Sequence, residues 1–327
     1  MDSVHGESTV RLIINGRASL SSPLRRSLQR AARDLEQRNV TVETCVTKSP
    51  VDAEHFARDA CSECCAAVIA VGGDGTLNQV INGVMAQNQK NRSEVAVGVI
   101  PAGTANDFAA CIGVRSRDAY RLLMSCNGEQ ARWLDLGKVQ SRYFINIASG
   151  GFGAEATRNL SPWLKSTYGA EAYFLNGVRQ LLTATQPQAH FQSGDWQWEG
   201  RALAFAIGNG RQTGGGCVLC PDALLDDGEL DLCIIPAHID LHKLLTSWLN
   251  GPMSVVGKLL SLQNPLRHGV IGYILEYYKE LVVRKRVSSL DICLDEAIAL
   301  NLDGEATEPR KVFSFTAQQQ KIKFLIP

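Results

Sequence analysis

Apolar runs and helical stripes alternate through the first third of the chain. Val10 to Ile14, Val40 to Val46, Ala66 to Val71 and Val95 to Ile100 read as strands. The third of these is apolar throughout, as a parallel strand covered on both faces should be. Between them lie helical patterns. Leu24, Leu28 and Leu35 recur at helical spacing behind Ser22-Pro23, which reads as an N-cap with proline at the first helical position. Asp52 opens a second helix through Phe56 and Ala60. Leu77, Val80, Ile81 and Val84 mark a third that ends near Ala86. Strands alternating with helices specify a parallel sheet with right-handed crossovers.

The period changes after Asn127-Gly128. Leu134 to Val139, Tyr143 to Ala148, Ala189 to Gln192, Ala202 to Ile207, Leu230 to Ile235, Leu290 to Leu294 and Ile298 to Leu302 read as strands with little helix between them. Alternation such as Leu203, Phe205, Ile207 argues for an antiparallel sandwich. One helix, about Thr167 to Thr183, interrupts it, and a last strand at Ile322 to Ile326 fits either part. The expected fold is α/β plus β: a Rossmann-like nucleotide domain at 1–132, then a β-sandwich at 133–310. A helical insertion is expected near 240–287, and a tail at 311–327 that packs back on the fold.

Composition narrows the partners. Lysine plus arginine equals aspartate plus glutamate, 33 each, so the formal net charge is zero and gives no electrostatic reason to expect nucleic acid. Met1 to Thr9 is polar, without an apolar signal segment, and no run approaches about 18 uncharged apolar residues, so no transmembrane segment is expected. The expected location is the cytoplasm, with reduced thiols. Two Cys-x-x-Cys pairs, Cys61 with Cys64 and Cys217 with Cys220, fit no usual zinc spacing, and the first shares a helix where cysteine acts as a small hydrophobe.

The chemistry gathers at two loops. Val71-Gly72-Gly73-Asp74-Gly75-Thr76 joins the third strand to a helix, and such a turn lets backbone amides reach an anion without Cβ obstruction. It is not a Walker A loop, whose Gly-Lys-Ser/Thr ending is absent from the chain. Taken alone it could also be a tight turn. The fourth strand runs into Pro101-Ala102-Gly103-Thr104-Ala105-Asn106-Asp107-Phe108, and both loops fall at the carboxyl ends of parallel strands, where ligands bind. Asn106 and Asp107 could equally cap a helix from Phe108. Gly151-Phe152-Gly153-Ala154-Glu155-Ala156 has the dinucleotide-fingerprint form but lies outside any βαβ unit, so it reads as a turn. Gly208-Asn209-Gly210 and Gly214-Gly215-Gly216 are loops that border a substrate site or simply connect strands.

Several motifs together resemble one family. Gly72 to Thr76 and Pro101 to Ala109 look like the catalytic domain of diacylglycerol kinases. Gly208-Asn209-Gly210-Arg211-Gln212, Gly214-Gly215-Gly216, Cys220 to Gly228 and Asn301-Leu302-Asp303-Gly304-Glu305 look like the bacterial YegS-type lipid kinases. The resemblance runs from about Leu12 to Glu305. It implies a nucleotide domain followed by a sandwich, with the active site in the cleft between them. It implies ATP contacts from Thr47, the turn Gly73, Asp74, Gly75, Thr76, Leu77, Asn78 and Gln79, and Thr104. Gln79 stands where the family often has glutamate. Asp74, an anion among phosphates, is assigned to a catalytic metal network; its plainer role is to hold the turn through hydrogen bonds. Leu224, Asp227 and Glu229 match the family's structural magnesium site, with Ca²⁺ as the alternative ion, although Asp-Asp-Gly is by spacing an ordinary hairpin turn. Glu305 matches the proton acceptor, and Asp303 a carboxylate that relatives also use.

The implied activity is transfer of the γ-phosphoryl group of ATP to a lipid hydroxyl of diacylglycerol, phosphatidylglycerol or a related alcohol. The protein would then be peripheral to a membrane, with a homodimer left open. A kinase acting on NAD shares the Gly-Gly-Asp-Gly-Thr turn and is the enzymatic alternative; a non-catalytic nucleotide or lipid sensor is the other. Asn250 to Val287, which lacks alternation and ends near Arg284-Lys285-Arg286, is expected either to dock on an anionic surface or to pack as helices.

Overall fold

The computed structural model describes residues 8–49, 51–87, 93–126, 131–151, 186–237 and 280–326. The chain packs as two compact units, one of residues 1–145, 225–228 and 317–327, the other of 146–224 and 229–316.

In the first unit β1 (Ser8–Asn15) runs parallel to β2 (Val40–Thr47) on one side and β3 (Ala67–Gly72) on the other. β4 (Ser93–Pro101) continues the parallel sheet beside β3. All six residues of β3 are buried, as its unbroken apolar run requires. The crossovers are α1 (Ser22–Glu36), α2 (Asp52–Ser62) and α3 (Asp74–Gln87). Two short helices, α4 (Asp107–Cys111) and α5 (Ala119–Met124), follow β4. A hairpin of β5 (Ala131–Val139) and β6 (Arg142–Phe144) belongs to this unit as well. The strand order 2-1-3-4 reverses direction beside β1, which in such sheets marks where ligands bind.

The cap of α1 is one residue earlier than expected. Ser21, not Ser22, is the N-cap: its hydroxyl accepts from the Leu24 N–H at 3.4 Å, and the Arg25 N–H already bonds the Ser21 carbonyl at 3.0 Å. Pro23 has no N–H to satisfy, so the useful hydroxyl is the one that reaches past it to Leu24. Ser21→Ala should cost about 1 kcal/mol of stability, and Ser22→Ala only a few tenths, read by thermal unfolding.

The second unit is antiparallel in every pairing among its described residues. Its strands are β7 (Ile147–Gly151), β8 (Gln188–Ser193), β9 (Trp196–Gly208), the ribbon β10 (Gln212–Thr213) with β11 (Cys217–Val218), and β12 (Leu230–Pro236). β13 (Val283–Val287), β14 (Ser289–Ile298), β15 (Asn301–Leu302) and β16 (Glu305–Ala306) follow. β9 is the strand that joins the two layers. Its first half, alternating in exposure, pairs with β8; its second half, wholly buried, pairs with β7 and β12. A strand that changes sheets is how sandwich corners are made.

Two expected strands differ from what forms. Tyr143 to Ala148 splits into β6 and β7, because Asn146 spends its backbone groups on Asp303, Asn209 and Gly210 instead of one continuous ladder. The last strand, β17 (Arg310–Leu325), starts well before Ile322. Its first part pairs antiparallel with β14, and Ile322 and Phe324 pair parallel with β4. Phe324 seats edge-on against Phe108, ring centroids 5.2 Å apart, which fastens the chain end into the first core. The helix expected at Thr167 to Thr183, residues 152–156 of the fingerprint and residues 250–279 lie outside the described residues. Among the described residues no helix is long and apolar enough to cross a membrane.

Candidate active site

Parallel strands bring their carboxyl ends to the same end of the first unit, and all four carry polar or glycine residues there. β1 ends in Asn15-Gly16. The Gly16 N–H donates to the Thr47 hydroxyl at the end of β2 at 3.2 Å, and a Cβ on Gly16 would stand 2.1 Å from the Thr47 carbonyl oxygen. Asn15 Nδ2 donates to Thr76 Oγ1 at 3.1 Å. Asn15 and Gly16 were not among the expected site residues; the Asn-Gly pair at the end of an apolar run was the available signal.

β3 leads through Gly72 and Gly73 directly into α3, whose first backbone bond runs from the Leu77 N–H to the Gly73 carbonyl at 3.1 Å. The second loop lies against this turn. The Ala102 N–H donates to the Gly72 carbonyl at 2.8 Å, and a Cβ on Gly103 would be 2.4 Å from Gly73 Cα. Gly103 has no room for a side chain there, and a Cβ on Gly73 would already be tight at 3.2 Å from Gly103 Cα. Asn106, left-handed at φ 54°, folds its amide back on Gly103: Oδ1 accepts from Gly103 N–H at 2.9 Å and Nδ2 donates to its carbonyl at 2.8 Å.

Asp74 takes a specific position. Its two carboxylate oxygens accept from the backbone N–H groups of Asp107 and Phe108 at 3.1 and 3.0 Å. It thereby caps α4, a role that sequence reading gave to Asn106 or Asp107; Asn106 sits at the N-cap but makes no side-chain cap bond. The carboxylate holds the second loop onto the first.

The remaining expected ATP contacts divide by exposure. Thr104 is exposed, and Thr47, Gly73, Gly75 and Gln79 are half-buried. Leu77 and Asn78 are 1% exposed and turn their side chains into the fold, where Asn78 Nδ2 donates to the Tyr143 carbonyl at 3.0 Å. Only their backbone is left for a ligand.

The second unit holds the acidic turn. Leu302 and Glu305 pair across a two-residue hairpin whose central residues, Asp303 and Gly304, have φ of 50° and 101°. That is the primed turn favoured by Asp-Gly. Asp303 is 4% exposed, and its Oδ1 accepts from the N–H groups of Asn146 and Ile147 at 3.0 and 2.9 Å. Glu305 is half-buried, and its carboxylate makes no hydrogen bond or ion pair with the described residues.

The stretch expected to hold magnesium contains one carboxylate neighbour that sequence reading missed. Asp135 is fully buried, and its oxygens accept from the Gly228 and Gln320 N–H groups, both at 2.6 Å. Burial pushes its carboxyl up, the two N–H groups pull it down, and the nearby Asp227 and Asp226 push it up again. Leu224 is 42% exposed and Glu229 is 3.5 Å from Arg286 Nε. Carboxylate and main-chain carbonyl oxygens are the donors a hard divalent cation prefers.

Comparison with known proteins decides the family. Residues 9–139 match the diacylglycerol kinase catalytic domain, and residues 146–252 match the YegS C-terminal NAD kinase beta sandwich-like domain. A Pseudomonas aeruginosa protein named "Probable lipid kinase YegS-like" is 35% identical over 306 residues, covering 93% of this chain and 89% of its own. The chain belongs to the YegS-like lipid kinase family. Another member, from Alcanivorax borkumensis, is 34% identical, with 92% of each chain covered. A solved Bacillus anthracis structure named as a diacylglycerol kinase shares the fold, at a TM-score of 0.66 and 18% identity, covering 99% of this YegS-like chain and 98% of that one.

Two further expectations meet the structure. The Arg284-Lys285-Arg286 run lies in β13, paired with β12, but two of its cations are engaged within the protein. Arg284 donates to the Leu219 carbonyl at 3.0 Å, and Arg286 donates to the Asp222 carbonyl at 2.9 Å and faces Glu229 and Asp231. Three free cations are therefore not on offer there. Burial pushes the Cys61 thiol up to about 11 and the Cys220 thiol well above its usual value.

Proposed function

We propose that this YegS-like protein is an ATP-dependent lipid kinase that transfers the γ-phosphoryl group to a lipid alcohol of the diacylglycerol or phosphatidylglycerol class. The observation that carries the reading is the backbone-to-backbone seating of Gly73 against Gly103 at the carboxyl ends of β3 and β4. It leaves two glycine loops and the start of α3 open to an anion such as a phosphate. Thr47, Gly73 to Gln79 and Thr104 contact ATP in this reading, Leu77 and Asn78 through their backbone. Asn15 already donates to Thr76 Oγ1, so the Thr76 hydroxyl proton is directed elsewhere and can reach a phosphate oxygen. Asp74 acts chiefly by fixing the second loop.

Glu305 is the proton acceptor for the lipid hydroxyl, and Asp303 the residue that seats its turn. Asp303 Oδ1 is already taken up by two backbone amides in a buried position, whereas Glu305 is the more exposed carboxylate of the turn. Bound Mg²⁺ would supply charge neutralisation between phosphate oxygens. A structural ion would be held by the Asp227 carboxylate and the Leu224 and Glu229 carbonyls. Asp227→Ala should then abolish the rise in melting temperature that magnesium gives the unaltered protein, because an ion that binds only the folded state stabilises it by mass action. Equal magnesium responses in both proteins would remove that site. A lipid acceptor places the working enzyme at a cytoplasmic membrane surface.

One assay tests the function: purified protein and labelled ATP, offered diacylglycerol, phosphatidylglycerol and NAD side by side. Labelled lipid is expected. Label in NAD would make it an NAD kinase, and binding of ATP without transfer to either would make it a sensor.

A further inference from the structure

Asn146 is buried at 2% exposure, immediately before β7, and four hydrogen bonds radiate from it. Its N–H donates to Asp303 Oδ1 at 3.0 Å. Its carbonyl accepts from the Asn209 and Gly210 N–H groups at 2.9 and 2.7 Å. Its side-chain Nδ2 donates to the Gln212 carbonyl at 2.8 Å. One residue thus ties the turn that bears Glu305 to the Gly208-to-Gln212 loop.

Any residue could make the three backbone bonds. The amide adds the fourth, and it imposes a constraint. A Cβ on Gly210 would lie 2.1 Å from Asn146 Oδ1, while Gly210 is not among the residues with positive φ. Glycine is required there by the amide, not by the backbone angle. Oδ1 itself is enclosed with no hydrogen-bond partner among the described residues. A buried amide oxygen left so is costly, and an apolar side chain of the same shape would serve stability better. An expensive amide that fastens one loop to the base-bearing turn is there for placement.

We propose that the Asn146 side chain is a positioning residue for phosphoryl transfer. It fixes the Gly208-to-Gln212 loop relative to Glu305, so that loop and proton acceptor move as one body. This rests on reading Glu305 as the acceptor in a lipid kinase, and the test separates the two.

The test is steady-state kinetics with labelled ATP and dioleoylglycerol or dioleoylphosphatidylglycerol in detergent micelles. Asn146→Ala should lower kcat about tenfold, the worth of one good hydrogen bond, with KM for ATP unchanged and Tm within about 2 °C. Gly210→Ala, whose methyl displaces the amide, should do the same alone. With the amide gone the methyl has room, so Asn146→Ala/Gly210→Ala should be no worse than Asn146→Ala. Should the alanine variant not fold, Asn146→Asp keeps the shape, loses the donor to Gln212 and should show the same fall in kcat. A wild-type kcat in the Asn146 variant that folds, or fully additive losses in the double variant, would overturn the inference and leave the kinase reading standing. Unaltered protein that phosphorylates neither lipid would overturn the kinase reading, and this inference with it.

Discussion

Glu305→Gln should cut transfer to lipid by about 10²-fold or more while ATP affinity, read by calorimetry, stays as in the unaltered protein. The change is nearly isosteric and leaves the Leu302-to-Glu305 hairpin intact, since that turn is fixed by Asp303, Gly304 and Asn301 rather than by the glutamate. The Gly304 N–H bonds Asn301 Oδ1 at 2.8 Å, and Asp303 holds the Asn146 and Ile147 amides. Asp303→Asn separates the candidates. It keeps one acceptor oxygen for those amides but loses the charge, so stability should fall and turnover should fall less than for Glu305→Gln. Near-normal turnover in Glu305→Gln, with loss in Asp303→Asn, would move the proton acceptor to Asp303.

What was legible in the chain follows from how far apart the partners lie. The parallel half was readable because each strand and its helix carry their own period, and Gly-Gly-Asp-Gly-Thr follows an apolar strand directly. The seating of Gly73 on Gly103 was not, because nothing local in either glycine reports a backbone about 30 residues away. Asp135 shows the same limit. It sits between Leu134 and Leu136 in a strand that alternates, where an aspartate reads as solvent-facing. Its burial is set by Gly228 and Gln320, which are 93 and 185 residues away. The early part of β17 was hidden by Gln318-Gln319-Gln320-Lys321, a polar run that breaks the alternation of Phe313 and Phe315. Gln320 has φ 43° and gives its N–H to Asp135, so the strand carries an irregularity that only the buried carboxylate satisfies. The burial of Asp303 was illegible for the same reason. Its partners, Asn146 and Ile147, are 157 and 156 residues earlier.

Gly103→Ala should raise the dissociation constant for ATP by about 100-fold or more, with the fold largely retained. Its Cβ would lie 2.4 Å from Gly73 Cα, 2.9 Å from Gly73 N and 3.0 Å from Asn106 Oδ1. Two of those atoms are backbone, so no side-chain rotation relieves the contact, and the Gly72-Gly73 turn has to move. Three sets of bonds resist that movement: Ala102 N–H to the Gly72 carbonyl, the Asn106 amide on Gly103, and Asp74 on the Asp107 and Phe108 amides. The strain therefore falls on the turn that would cradle phosphate, while the core strands behind it, buried throughout in β3, are untouched. Gly75→Val, which adds bulk in the first turn of α3, should weaken ATP in the same way. Gly113→Ala is the control. Gly113 has φ 75° and nothing within 4 Å of its Cβ position, so it should cost about 1 kcal/mol of stability and leave ATP binding alone. Calorimetry that finds unchanged ATP affinity in Gly103→Ala and Gly75→Val would place the nucleotide elsewhere on the chain.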